Sequence, residues 1–219
     1  MRADERFAAG RLSRSIFAAA VFVLVGMGSG LEPVHSQTAG GATGSGADKV
    51  RDLRGEWLRV GPGFVCKVSG DGKLPPEAIR PDILMMPCLH MGPLVVGDDA
   101  QTATKALGAP HRTLSQPNGA VASIYFLESM DHFPYLVVTV SKNRIVALQV
   151  TGLVAAKGYS FNHVDLGMTT AELLKYFGQP NHLEPSSEKD TDLWSYNPWP
   201  FSFEVKGGRV TSIRIAERK

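Results

Sequence analysis

The densest group of metal-capable side chains in the chain is the stretch "MMPCLHM", which brings Met85, Met86, Cys88, His90 and Met91 together. Thioether, thiolate and imidazole are soft ligands that suit Cu(I), so a copper site is one reading of this segment. The other reading is structural. Methionine commonly fills irregular cores, Pro87 constrains the geometry, and Cys88 has one possible partner in the chain, Cys66. In an exported protein such a pair is read first as a disulfide, closing a loop of about twenty residues and stabilising by about 3 kcal/mol. A bonded Cys88 is lost as a metal ligand. The Cys66–Cys88 disulfide, with no cofactor, is therefore the expectation, and copper on Met85, Met86, His90 and Met91 is the alternative.

Other chemistry finds less support. A serine nucleophile needs a strained turn and a base, and no G-x-S-x-G occurs in the part expected to be mature. Ser69 in "KVSGDGK" and Ser141 in "VSKNR" fall in turns, and "SGDGK" lacks the spacing of a phosphate-cradling loop. The six histidines, at 35, 90, 111, 132, 163 and 182, form no pair with zinc-site spacing. His111 and His182 follow G-x-P triplets in expected loops, where a helix C-terminus favours a cation. No enzyme is expected. Trp194, Tyr196, Trp199 and Phe201 form the densest aromatic cluster, with core packing as their ordinary role. "NPWPF", however, sets Trp199 between two prolines in an expected exposed loop, as a rigid interface anchor would be. Trp199, Trp194, Tyr196 and Tyr135 make up the candidate interaction surface.

The N-terminus indicates the compartment in which these residues work. Arg2, Arg6, Arg11 and Arg14 precede an apolar run from Ile16 to about Met27, followed by small residues, which is the pattern of a secretory signal peptide. The run is shorter than the roughly 20 residues that span a bilayer. Cleavage after Ser36 is expected, with no lipoprotein cysteine near it and no stable membrane anchor afterwards. The removed piece carries four arginines and three acids, so the net charge of +2 falls to +1. That balance gives no reason to expect nucleic acid or an anionic membrane surface as a partner. Residues 37–48, including "TAGGATGSG", have too little apolar area to offset ordering entropy and are read as a flexible linker.

From Val96 onward the chain repeats itself. "KALGAP" is echoed by "KYFGQP", and Arg144-Ile145 by Arg209-Val210. In the second copy Thr169 and Glu172 have capping-box spacing, Leu173, Leu174 and Phe177 share a helical face, and Gly178 and Pro180 end the helix. In the first, Asp98 or Asp99 is the cap and Ala103 and Leu107 the apolar face. "ASIYFLES" and "DLWSYN" read as strands; "YLVVTVSKNRIVALQV" and "FSFEVKGGRVTSIRI" read as hairpins turning at Lys142-Asn143 and Gly207-Gly208. The resulting expectation is an α+β protein of two tandem helix plus three-to-four-stranded antiparallel sheet modules, 92–153 and 154–219. A disulfide-stapled N-terminal extension of hairpin and loop, 49–91, precedes them. Phe201, Phe203 and Val205 face one side of their strand, with Ser202, Glu204 and Lys206 on the wet side. Leu136, Val138 and Val140 do the same in the first module, but Tyr135, Val137 and Thr139 opposite them are hardly polar. That face should be covered, with Glu56 to Met91 as the nominated cover, or should bind something.

"LGMTTAELLKYFGQP", then "DLWSYN" and "GGRVTSIRI", resembles the SmpA/OmlA (BamE-like) outer-membrane assembly module, and the duplication resembles the tandem β-lactamase-inhibitory-protein fold. The resemblance runs from about Val96 to Ile215. It implies a periplasmic or secreted, non-enzymatic module that binds another envelope or secreted protein, in envelope assembly or inhibitor-like binding.

Overall fold

The structure is a computed structural model that describes residues 53–69, 84–128 and 134–218. The expected signal peptide and linker, most of "SGDGK" with the proline-rich loop after it, His35 and His132 lie outside these residues.

The sheet grows from two hairpins. β7 (Tyr135–Ser141) and β8 (Arg144–Thr151) turn through Lys142 and Asn143, whose φ values are 48° and 63°. β11 (Phe201–Lys206) and β12 (Arg209–Ala216) turn through Gly207 and Gly208 at 56° and 72°. A two-residue turn with both central residues left-handed matches the twist of antiparallel strands. β6 (Val121–Phe126) adds to β7, and β10 (Thr191–Ser195) adds to β11. Two short strands follow the G-x-P triplets, where loops were expected: β5 (Arg112–Ser115) and β9 (His182–Pro185). All their residues are exposed, so neither carries the alternation that marks a strand in sequence.

β8 and β12 then pair with each other, Val150 opposite Ile213 and Leu148 opposite Ile215. The result is one eight-stranded antiparallel sheet in the order β5-β6-β7-β8-β12-β11-β10-β9. This corrects the expectation of an α+β pair of tandem helix-plus-sheet modules. The protein is mostly β, and the sheet runs unbroken from one half of the chain into the other. The physical reason is the apolar content of the two longest strands. Each would be a hydrophobic edge if its half stood alone, and pairing removes both edges.

Among the described residues two α-helices flank this sheet, α1 (Ala100–Leu107) and α2 (Thr170–Phe177). Asp99 caps α1 by accepting the Gln101 amide at 2.8 Å. Thr169 and Glu172 close a capping box on α2, and the Thr169 amide and hydroxyl hold the Glu172 carboxyl below its ordinary range. Leu173 and Phe177 of α2 enter the core that contains Leu136, Val138, Leu148, Val150, Phe203 and Ile213.

The N-terminal hairpin, β1 (Arg54–Val60) and β2 (Gly63–Ser69), joins the same core. Phe64 sits 5.2 to 5.9 Å, ring to ring, from Phe177, Tyr196, Trp199 and Phe201. Buried Trp57 donates its indole N–H to the Cys88 carbonyl at 3.0 Å, inside a 3₁₀ turn, Met86–Cys88, that leads to the small ladder β3 (His90–Met91) and β4 (Leu94–Val95). Cys66 and Cys88 are bonded across a sequence separation of 22, with Cα atoms 5.8 Å apart. Gly55 lies against this bridge, and a Cβ there would come within 2.8 Å of the Cys88 sulfur. Of the expected cover, residues 70–83 lie outside the described residues, and the hairpin spends its aromatic residues on the core around α2 and β11.

Leu148→Ala removes a wholly buried side chain from the central strand pair and should cost about 2–5 kcal/mol in urea unfolding, with a single transition. Leu153, 72% exposed, should tolerate the same change within about 0.5 kcal/mol. Two separable transitions, or equal effects at the two sites, would contradict the single sheet.

Candidate functional site

Strand period places Leu136, Val138, Leu148, Val150, Ile213 and Phe203 on the inner face, so their neighbours must point the other way. Register carries these outward residues across the sheet in two rows. One row passes from Arg112 through Ile124, Val137, Gln149, Arg214, Ser202 and Ser195 to His182, one residue per strand. The second passes from Phe126 through Tyr135, Thr151, Ser212, Glu204 and Leu193 to Glu184. The face is thus apolar and aromatic over β6 and β7, and polar from β8 onward except at Leu193. Val137, Tyr135, Gln149, Thr151 and Glu204 are half-buried.

A cleft of about 330 Å³ opens where the second row meets the loop before β10, with Tyr135, Thr151, Glu188, Glu204 and Lys206 among its lining. Ser212 and Ser186, outside the lining, hydrogen-bond to residues within it. Ser212, 1% exposed, accepts the Gln149 amide at 2.9 Å, and its hydroxyl lies 3.2 Å from that of Thr151. The Ser186 hydroxyl donates to Glu204 at 2.6 Å, while the Ser186 amide is fixed on the Thr191 carbonyl at 2.8 Å. Burial pushes the Tyr135 phenol above its ordinary pKa; its bond to Thr151 opposes this, and the negative charges of Glu188 and Glu204 add to it. Tyr135 is therefore a neutral phenol at physiological pH. The partners of Ser212 are thus an amide and a hydroxyl, whereas the Ser186 hydroxyl is held by a carboxylate.

The structure separates the residues that the sequence placed together. Tyr135 lies on the open face. Tyr196 is wholly buried on the inner side, its hydroxyl donating to the Gly178 carbonyl at 2.9 Å. Trp194 is half-buried opposite Phe203, with its indole nitrogen enclosed and without a hydrogen-bond partner among the described residues. Trp199 corrects the expectation of a solvent-facing anchor: it is half-buried, stacks edge-on against Phe64 and donates its N–H to the Phe64 carbonyl at 3.1 Å. It fastens the N-terminal hairpin. Of the copper alternative, Met86 and Met91 are buried, Cys88 is bonded to Cys66, and His90 is 3.3 Å from the Gly55 carbonyl with its pKa pushed down by burial. Among the described residues no group of three or more His, Cys, Asp or Glu is placed to hold a metal. Sequence reasoning missed Gln149, Thr151, Glu188 and Ser212; the one available signal was the polar "TS" inside the apolar "RVTSIRI".

No protein-family model matches the chain, so membership of the SmpA/OmlA family is not supported, and no curated protein matches it. Solved structures give partial likenesses. An extracellular SCP-domain protein of Bacillus anthracis is 12% identical with a TM-score of 0.41, over 56% of this chain and 44% of that one. The DUF4309 family protein YjgB of Bacillus subtilis is 16% identical with a TM-score of 0.40, over 55% and 78%. A presumed β-lactamase inhibitor protein of Streptococcus mutans is 12% identical with a TM-score of 0.23, over 56% and 85%. This chain spans less than half the length of the SCP-domain protein. At these TM-scores the likenesses carry no argument about the role of this chain.

If Trp199 is a fastener, Trp199→Ala should lower stability by about 3 kcal/mol and Trp199→Phe, which keeps a ring but loses the N–H, by about 1 kcal/mol. Unchanged unfolding midpoints in both variants would return Trp199 to the surface.

Proposed function

We propose that this protein is an exported, non-enzymatic interaction module of the bacterial cell envelope, and that it binds another envelope or secreted protein through the open face of its eight-stranded sheet. Residues 1–36 would act as the export signal and 37–48 as the linker. Among the described residues no helix is long and apolar enough to cross a membrane.

One observation carries this reading. The apolar part of the face, with Ile124, Val137, Phe126 and Tyr135 on adjacent strands, is joined directly to a polar part with Gln149, Arg214 and Thr151, and the N-terminal hairpin packs elsewhere. An apolar patch bordered by hydrogen-bonding groups is the composition of a protein interface, and tyrosine and arginine are frequent anchors within one. In this reading Tyr135 and Arg214, on neighbouring rows, are the anchors.

A photoreactive residue placed at Val137 in the full-length chain, irradiated in intact cells of the native host, should form an adduct of discrete mass. The same residue at exposed Lys105 on α1 should not. Absence of the Val137 adduct, or the same adduct from both positions, would refute the open face as the binding surface.

A further inference from the structure

The cleft around Glu204 raises a question of charge that the interaction reading makes acute. Glu204 is half-buried at the centre of the polar part of the face, and Glu188 lines the same cleft. Lys206 stands in the lining and Arg214 in the neighbouring row, yet among the described residues no ion pair joins either cation to Glu188 or Glu204. A partner lying across the face would shield both carboxylates from solvent, and a carboxylate desolvated without a counter-charge is expensive. The cleft is also prepared in advance. Ser186 orients Glu204, the Glu188 amide is 3.3 Å from the same Ser186 hydroxyl, and Tyr135 and Thr151 add neutral oxygens to the wall. Anionic and neutral acceptors converging from several sides suit a planar cation whose N–H groups point outward in a fan.

We infer that the partner inserts an arginine side chain into this cleft, its guanidinium pairing with Glu204 and hydrogen-bonded to the surrounding oxygens. This rests on the reading of the open face as the interface, and it specifies the chemistry the partner must present there. Apolar contact over β6 and β7 would supply area, while the arginine would fix register and exclude partners that lack a cation at that point.

The probe is Nα-acetyl-arginine methylamide, titrated into the isotope-labelled protein after removal of residues 1–36 by export, with backbone amide shifts followed by NMR. Saturable shifts are expected at Thr151, Glu204 and Ser212. Binding should weaken at least about tenfold in Glu204→Gln and for the uncharged citrulline analogue, with the dispersed spectrum confirming that the variant is folded. Equal binding of the citrulline analogue, undiminished binding by Glu204→Gln, or the absence of saturable shifts would overturn the arginine site. The titration needs no partner, so its failure is distinct from failure of the Val137 crosslink. A saturating cleft without an adduct would leave the site standing and remove the interface.

Discussion

The pairing of β8 with β12 is the constraint on which the other features depend. Each half of the chain ends in an eight-residue strand whose inner positions are wholly buried, Leu148 and Val150 in one and Ile213 and Ile215 in the other. Left apart, these would be long apolar edges that invite aggregation. Joined, they leave only β5 and β9 at the margins, four residues each and exposed throughout. The same pairing aligns Gln149 with Arg214 and Thr151 with Ser212, so the ladder that unites the core also assembles the polar part of the opposite face. Fold and candidate site therefore share one set of hydrogen bonds.

The N-terminal hairpin decides which face remains available. It delivers Trp57 and Phe64 to the aromatic cluster of Phe161, Phe177, Tyr196 and Phe201, and the Cys66–Cys88 bond ties it to the segment leading into β3. Asn162 reinforces this seat, accepting the Trp57 amide at 2.6 Å and donating to the Trp57 carbonyl at 2.9 Å. These apolar side chains are used on the core side, while Tyr135 and Val137 stand half-buried on the opposite side of the sheet.

Local grammar was legible in the sequence and long-range register was not. The hairpin turns at Lys142-Asn143 and Gly207-Gly208, the capping box at Thr169 and the glycine stops at Gly108 and Gly178 are written in adjacent residues, and each stands where expected. The fusion of the halves was not legible, because Val150 meets Ile213 across one intervening helix and three intervening strands, and no short-range pattern encodes that meeting. Trp199 was misplaced for a similar reason: two flanking prolines suggested a rigid exposed loop, but its neighbour Phe64 arrives from far away in the chain. At the candidate site only Tyr135 could be singled out. Thr151, Ser212 and Glu204 each read as an ordinary polar strand position, and only the pairing of three strands brings them side by side.

The central claim is that the open face is borne by one cooperative sheet whose middle is the β8–β12 ladder. Native-state hydrogen exchange on the protein tests this most directly. The account predicts that the hydrogen-bonded amides of β8 and β12 exchange slowest, through the same global opening, while β5 and β9 exchange first by fraying. Slowest exchange located separately in the β6–β7 and β10–β11 pairs, with β8 and β12 opening between them, would show two independent halves and contradict it.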